Sequence, residues 1–142
     1  MGRVEVWVYR EGGGVMAFVL GKKSLERLQG VHPDLVRVVK RAIQLSEIDF
    51  TVTEGLRTNA RQAQLFKAGA SKTMNSRHIT GHAVDLAAWV EGGVRWDWPL
   101  YAKLAKAMKS AAAELNVQII WGGDWRTFKD GPHFELDRKV YP

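Results

Sequence analysis

Apolar and polar residues recur with two different periods along the chain, and together these periods predict a domain that mixes helices with strands. In some segments apolar residues return every three or four positions, which is typical of a helix with one buried face. In others they alternate with polar residues, as in a strand with one buried face. The helical period predicts helices at 33–45 and 97–116, and cap residues predict two more at 24–28 and 58–68. Alternation predicts strands at 83–87 and 133–136, and two further strands are predicted at 50–53 and 117–121.

Residues with known preferences for helix ends mark several of these boundaries. Ser24 and Thr58 are predicted N-caps, because their hydroxyls can accept a hydrogen bond from the first helical turn. Pro33 suits the first turn of the next helix, and Asn116 is predicted to end the last one. Because helices come first and strands lie mostly in the second half, we predict an α+β fold with an antiparallel sheet.

The beginning of the chain differs from the rest. A run of three glycines at 12–14 separates the first residues from the remaining sequence. We therefore expect residues 1–15 to form an N-terminal extension of unknown role. Residues 16–142 are expected to form a single domain, for which the length is sufficient. The alternating valines at 4–8 also fit a short edge strand.

The composition narrows the available chemistry. The 142 residues include no cysteine, which excludes a disulfide framework, a thiolate zinc finger and a cysteine nucleophile. Any metal site must therefore use histidine and carboxylate ligands. The net charge of +6 favours an anionic partner, such as a cell-wall polymer, a nucleic acid or an anionic membrane. Lysine and arginine are scattered rather than clustered with aromatic residues, so no specific nucleic-acid binding is expected.

No membrane or export segment is predicted. No apolar run approaches the ~18 residues of a membrane span, and the apolar run at 15–20 is too short for the core of a signal peptide. We expect the protein to be made in the cytoplasm without a signal peptide. If it acts outside that compartment, another mechanism must release it.

Two histidines four positions apart, His78 and His82, first suggest a helical metal pair of the H-E-x-x-H kind. That interpretation fails because Thr80-Gly81 lies between them, glycine is poor in helix interiors, and no glutamate follows the first histidine. A turn at the glycine, with Asp85 on the next strand directed back toward His78, works better. His133 follows a Gly-Pro turn and is the candidate third ligand. Two histidines and one carboxylate suit a catalytic zinc that keeps one position open for water.

Two further residues have both a chemical and a purely structural interpretation. Asp130 lies three positions before His133 and could carry a proton between water and a leaving group, but Asp-Gly is also a common turn. Arg57 lies between a predicted strand and a predicted helix, where it could hold a substrate carboxylate or an oxyanion. A surface pair with Glu54 is its alternative. Spacing alone decides neither case, and it does not separate the zinc site from a chance cluster.

The site residues occur in motifs that resemble those of zinc peptidases acting on peptidoglycan peptides. This group contains D,D-dipeptidases, D-Ala-D-Ala carboxypeptidases and phage L-alanyl-D-glutamate endopeptidases. The resemblance rests on Ser76-x-His78-x-x-Gly81-x-Ala83-x-Asp85, on Asp130-x-x-His133, on EGLRT at 54–58 with Gln62, and on WGGDW at 121–125. Similarity to the phage and prophage endopeptidase branch runs from about residue 20 to residue 136, which is nearly the whole chain.

The resemblance implies a fold, a metal and a reaction. The fold is the small zinc-peptidase fold shared with Hedgehog proteins and D,D-peptidases, with helices packed on one side of an antiparallel sheet. His78, Asp85 and His133 would bind Zn²⁺, and Asp130 would be the catalytic base and acid. The dipeptidase branch has glutamate at the last position, so aspartate favours an endopeptidase that hydrolyses the L-Ala-D-Glu bond.

The resemblance also implies roles around the metal. Arg57 would stabilise the scissile carbonyl oxygen, and Ser76 would line the substrate site. His82 falls at a variable position of the motif, so we place it outside the ligand set. Trp121 and Trp125 remain either cleft walls or core rings.

The favoured function is therefore a lytic endopeptidase, or endolysin, that acts as a monomer on the stem peptides of peptidoglycan. It would reach the cell wall after release by a holin-type pore or host lysis. The alternatives are a D,D-carboxypeptidase or dipeptidase of the same group, and a zinc-stabilised binding module without turnover. The missing signal peptide opposes the first alternative, and the presence of both Asp130 and Arg57 opposes the second.

Overall fold

The computed structural model describes the backbone of residues 5–10 and 13–142, and side chains from residue 17 onward. The strands are β1 (Glu5–Arg10), β2 (Gly13–Phe18), β3 (Phe50–Glu54), β4 (Ala83–Val90), β5 (Gly93–Arg95), β6 (Ile119–Trp121) and β7 (His133–Leu136). The helices are α1 (Lys22–Arg27), α2 (Pro33–Leu45), α3 (Asn59–Lys67), α4 (Trp98–Leu115) and a 3-10 helix, Gly122–Asp124.

A five-stranded antiparallel sheet forms the centre of the fold. Its main strands run in the order β3-β4-β7-β6, and β5 pairs with the end of β4. Strands β1 and β2 form a separate antiparallel hairpin, whose second strand packs on α2. The predicted α+β class and the antiparallel sheet are confirmed.

Alternation along β4 and β7 separates the hydrophobic core from a polar face. Val84 on β4 lies opposite Phe134 on β7, and both side chains are fully buried together with Leu136. Asp85 and His133 form the next pair in the register, so their side chains project to the other face. The central pair of strands therefore carries core residues on one side and two predicted metal ligands on the other.

Helices α2 and α4 pack against each other and share one hydrophobic cluster with the sheet. α2 begins as its sequence predicts: Pro33 lies in the first turn, and His32 Nδ1 accepts a hydrogen bond of 3.1 Å from Asp34 N. α4 ends at Asn116, whose φ of 56° is left-handed, a conformation that asparagine tolerates. The predicted boundaries of both helices are confirmed.

The predicted cap of α1 is wrong, for a tertiary reason. The helix begins at Lys22, and Gly21 rather than Ser24 precedes its first turn. The Ser24 hydroxyl is buried, lies 3.0 Å from Thr51 Oγ1 and accepts a hydrogen bond of 2.9 Å from Val52 N. Ser24 therefore attaches α1 to β3 instead of capping it.

The predicted order of elements and one strand boundary also differ from the structure. The β1–β2 hairpin precedes α1, so the helices do not come first as predicted. β6 begins at Ile119, because Val117 N still donates to Ala112 O at the end of α4. Of the alternating valines, Val4 lies outside the described residues. Within residues 5–10 and 13–142, no helix combines the length and apolar character needed to cross a lipid bilayer.

Candidate metal centre and active-site cleft

His78, Asp85 and His133 meet on the polar face of the sheet. Each offers one ligand atom, and these atoms lie within 4.8 Å of one another. Asp85 Oδ1 is 3.2 Å from His78 Nε2 and 3.3 Å from His133 Nδ1. The structure thus brings together the three residues that the sequence motifs predict, although 48 residues separate Asp85 from His133.

A turn at Gly81 brings His78 to this group. The φ of Gly81 is +77°, and a Cβ on it would lie 2.6 Å from Gly30 O, so only glycine fits without displacement. His78 itself is buried, and its Nδ1 donates to Gly55 O at 2.9 Å, which leaves Nε2 facing Asp85. The ring orientation of His78 is therefore set before any metal binds.

The three side chains carry opposing electrostatic effects. Burial acts to raise the pKa of Asp85, but hydrogen bonds from His133 and His78 outweigh it and hold that pKa well below its usual range. Burial acts to lower the pKa of His133, whereas the Asp85 and Glu135 carboxylates raise it to about 9. These contacts therefore favour the charged forms of both Asp85 and His133 in the metal-free protein.

These donors fit a zinc ion. Zn²⁺ prefers imidazole and carboxylate ligands at roughly 2.0–2.2 Å, and the edges of a tetrahedron with such bonds measure about 3.3–3.6 Å. The two separations from Asp85 Oδ1, 3.2 and 3.3 Å, lie close to the lower end of that range. Three protein ligands also leave a fourth position for water or substrate, as in catalytic zinc sites.

Asp130 lies beside the ligand group, in the turn that leads into β7. Its backbone is held by Asp130 N donating to Gly122 O at 3.0 Å, and a Cβ on Gly122 would collide with Asp130 O. Among the described residues its carboxylate has no hydrogen-bond or ion-pair partner, so it does not cap its own turn. Burial and the charge of Asp85 raise the pKa of Asp130. A carboxylate with a raised pKa and free oxygens is suited to proton transfer.

Arg57 is held rigidly in the wall of the same site. Its Nε and Nη2 bind both carboxylate oxygens of Glu54 at 2.7 and 2.6 Å, and Nη1 donates to Gln62 Oε1 at 2.7 Å. Nη1 also lies 3.4 Å from Ser76 Oγ, and Nη2 lies 3.9 Å from Asp85 Oδ2. The predicted pair with Glu54 exists, but it is not a surface pair, because Arg57 is only 9% exposed.

Comparison with known proteins identifies the family of the chain. Residues 16–141 match the family model described as phage L-alanyl-D-glutamate peptidase. The chain belongs to this family. It is 38% identical to the L-alanyl-D-glutamate peptidase of Escherichia phage T5, over 89% of this chain and 94% of that protein. It is 31% identical to the L-alanyl-D-glutamate peptidase of Listeria phage A118, over 84% of this chain and 42% of that protein.

A solved structure is similar over nearly the same length. The Serratia marcescens L-Ala D-Glu endopeptidase ChiX is 50% identical and superposes with a TM-score of 0.83. The match covers 87% of this chain and 94% of ChiX. The chain therefore has the small zinc-peptidase fold that its motifs predicted.

In the present chain the candidate site opens into a cleft of about 950 Å³. Its walls include the three candidate ligands together with Arg57, Ser76 and Asp130. Ser76 Oγ additionally accepts from His78 N at 3.1 Å, so it supports a ligand as well as lining the cleft. Four exposed cations also line it: Lys72, Lys129, Arg138 and Lys139.

The aromatic residues divide between cleft and core. Trp125 lines the cleft, with its ring 5.2 Å from that of His133. Trp121 instead stacks on Phe134 and donates to Gly131 O at 2.7 Å, so it supports the turn behind Asp130. One of the two tryptophans is thus a cleft wall and the other is a packing residue.

His82 lies outside the ligand group, as the motif implied. Its ring is 5.7 Å from that of His32, and its Nδ1 lies 2.7 Å from Thr80 Oγ1. Burial, with the nearby Arg77 charge, lowers the pKa of His82. His32 is half-buried against Tyr141 and caps α2, so neither histidine faces the cleft.

Sequence reasoning missed Phe128 and Glu135. Phe128 lines the cleft, is 70% exposed and has a φ of 52°, and Lys72 Nζ lies 5.3 Å from its ring centre. Glu135 is buried, and its Oε1 lies 2.9 Å from His133 Nε2. The one sequence signal for Glu135 is its place on the same strand face as His133, and for Phe128 there was none.

Proposed function

We propose that this protein is a zinc-dependent peptidoglycan endopeptidase that hydrolyses the L-Ala-D-Glu bond of cell-wall stem peptides. The observation that carries the proposal is the convergence of His78, Asp85 and His133 in one cleft with the unpartnered carboxylate of Asp130. The names of the relatives support the choice of bond, and the similarity of the chain to them extends over most of its length.

The two histidines and Asp85 would hold Zn²⁺. When bound, the ion would lower the pKa of a water molecule toward ~7 and polarise the scissile carbonyl. Asp130 is then the residue that accepts a proton from the attacking water and returns it to the departing D-Glu amine. Its raised pKa suits both steps, since the carboxyl group must gain and lose the proton in turn.

Arg57 would stabilise the negative charge that develops on the carbonyl oxygen. Three of its five N–H groups are bound by Glu54 and Gln62, and the remaining donors lie toward Ser76 and Asp85. Because the guanidinium is already fixed, little reorganisation is needed during the reaction. Ser76 would contact the substrate beside it.

The mouth of the cleft would bind the stem peptide. Stem peptides carry free carboxylates, which the exposed lysines and arginine of the cleft would attract. Phe128 would pack on the substrate, because its exposed ring lines the cleft and strained backbone of this kind is concentrated at functional sites.

We further propose that residues 16–142 act as a monomeric peptidase domain and that residues 1–15 form an extension without an assigned role. The protein would be made in the host cytoplasm and reach the wall in the periplasm after holin-type release. Host lysis would follow from cleavage of the stem peptides.

Digestion of purified peptidoglycan, with and without a chelator, tests the proposal. Mass spectrometry should detect new D-Glu amino ends that disappear when zinc is removed and return when it is added back. Release of free D-Ala would show a D,D-carboxypeptidase instead. A zinc-loaded protein that yields no product from any wall type would be a binding module, and the proposal would be wrong.

A further inference from the structure

Glu135 is buried beside the candidate metal ligands without being one of them. It lies two residues after His133 on β7, on the same face, and is 6% exposed. Its Oε1 is 2.9 Å from His133 Nε2, whereas the other nitrogen of that ring, Nδ1, lies 3.3 Å from Asp85 Oδ1. The two imidazole nitrogens thus face two different carboxylates.

We propose that Glu135 is a positioning residue that selects the metal-binding nitrogen of His133. By accepting a hydrogen bond from Nε2–H, it keeps the proton there and leaves the Nδ1 lone pair directed at the metal. A carboxylate partner also makes the imidazole a better electron donor. The inference rests on the proposed zinc site.

The two histidines of the site would then bind through opposite nitrogens. His78 Nδ1 is occupied by Gly55 O, a neutral carbonyl, so Nε2 remains for the metal. His133 is oriented by a charged acceptor, Glu135, and binds through Nδ1. Charge-assisted hydrogen bonds are roughly twice as strong as neutral ones, so His133 is the more firmly oriented ligand.

Two arginines lie near the second oxygen of Glu135 and compensate its charge. Arg77 Nε lies 3.8 Å and Arg138 Nε lies 3.5 Å from Glu135 Oε2. Arg77 is itself anchored, since its Nη2 donates to Leu136 O at 3.2 Å and to Tyr141 O at 2.6 Å. Burying both oxygens of a carboxylate is costly unless cations accompany it, and these two arginines supply the positive charge.

Arg77 also connects the two ligand-bearing segments. It directly precedes His78 in the chain, yet its side chain reaches the end of β7, where Glu135 supports His133. The Arg77–Glu135 ion pair therefore joins the segment that carries His78 to the strand that carries His133.

The test uses the full chain with Glu135→Gln and Glu135→Ala. Glutamine retains an acceptor oxygen and the side-chain size, while alanine removes the acceptor. Asp137→Asn is the matched control, because Asp137 carries the same charge and lines the same cleft, but its carboxylate binds Lys139 N rather than a ligand. Zinc affinity is measured by competition with a chromophoric chelator, alongside thermal unfolding of the metal-free proteins.

We expect Glu135→Gln to weaken zinc binding about 10-fold and Glu135→Ala between about 10- and 100-fold, with the affinity of Asp137→Asn unchanged. If both Glu135 variants bind zinc as tightly as the control, the inference is wrong. If the wild-type protein binds no zinc, the proposed function fails instead, so the two failures are distinct.

A second measurement needs no substitution and so does not depend on the variants folding. Long-range ¹H–¹⁵N spectra of the zinc-loaded wild-type protein report which nitrogen of each histidine carries the proton. We expect the proton on Nε2 for His133 and on Nδ1 for His78. A proton on Nδ1 of His133 would overturn the assignment.

Discussion

Asp85 on β4 stands directly opposite His133 on β7, and one of its oxygens lies 3.3 Å from His133 Nδ1 and 3.2 Å from His78 Nε2. The register of two hydrogen-bonded strands therefore places two of the three candidate ligands. The third ligand comes from the turn before β4. Because strands at the centre of a sheet move little, the ligand group is preorganised for a metal.

Removing the proton-transfer group should separate catalysis from metal binding. Asp130→Asn preserves size but cannot accept a proton, so we expect kcat/KM to fall by about 10²- to 10⁴-fold while bound zinc stays at one ion per chain. Turbidity loss of peptidoglycan suspensions and metal analysis measure the two quantities. Asp124→Asn is the control, because Asp124 is exposed and pairs with Lys109 outside the cleft. Full activity in Asp130→Asn would contradict the role assigned to it.

Zinc should stabilise the wild-type protein but not a ligand variant. At a free zinc concentration 100 times Kd, binding adds about 2.7 kcal/mol to the free energy of unfolding. We expect this zinc-dependent rise in Tm to vanish in His78→Ala, which also loses the buried contact with Gly55 O. His82→Ala should retain the zinc response, since His82 lies outside the cleft. Equal responses in the two variants would remove His78 from the ligand set.

The fixed position of Arg57 should depend on a buried glutamine. Gln62 is fully buried, accepts from Arg57 Nη1 and donates to Ser71 Oγ at 2.8 Å. Gln62→Leu leaves these partners unsatisfied, so we expect a loss of about 1–3 kcal/mol in the free energy of unfolding, together with lower kcat. Gln64→Leu, an exposed position on the same helix, should change neither quantity. Urea unfolding and steady-state kinetics supply the comparison.

One hydrogen bond between α2 and the C-terminal residues should give a pH-dependent contribution to stability. Tyr141 Oη donates to Asp34 Oδ2 at 2.7 Å, and this bond lowers the pKa of Asp34. A folded pKa below the unfolded one stabilises the protein above the unfolded value of about 3.9, and the effect is lost as pH falls through the folded pKa. The wild type should therefore exceed Tyr141→Phe in stability near pH 6, and the difference should shrink below about pH 4. Urea unfolding of the metal-free proteins between pH 2.5 and 7 tests this, and a constant difference would contradict it.

Phe128 should improve substrate binding while its backbone conformation lowers the stability of the protein. Phe128→Gly and Phe128→Ala both remove the ring from the cleft, so both should raise KM for peptidoglycan with little change in kcat. Only glycine relieves the φ of 52°, so the glycine variant should be about 1 kcal/mol more stable than the alanine variant. Trp96→Ala, exposed but outside the cleft, is the control for general loss of an aromatic surface. An unchanged KM in both Phe128 variants would exclude substrate contact.

Helix caps and the apolar period correctly predicted the helices whose ends are set by residues nearby in the sequence. α2 and α4 have apolar faces of helical period, and α3 has an N-cap, Thr58, whose side chain accepts a hydrogen bond from Arg61 N; the structure confirms all three helices. Ser24 was misjudged because its partners, Thr51 and Val52, are 27 and 28 residues away. A hydroxyl before a helix looks the same in sequence whether it caps that helix or bonds to a distant strand.

In the candidate site too, the sequence predicted some features and the structure alone revealed others. The motifs carried the identity of His78, Asp85 and His133 through their resemblance to a known family, and the alternation of β7 placed His133 and Glu135 on one face. Neither motif nor alternation indicated that Glu135 binds His133 Nε2, or that Phe128 stands at the mouth of the cleft.

The sequence by itself determined the absence of cysteine chemistry and most of the secondary structure, because these follow from composition and short-range pattern. Its motifs named the candidate metal ligands only through their resemblance to a known family. Only the tertiary structure decided that the Asp130 carboxylate is unbound among the described residues, that Arg57 is buried, and which nitrogen of His133 faces Asp85. These properties arise from hydrogen bonds and packing between segments far apart in the chain. Strand register and loop packing set those contacts, and no local preference encodes them.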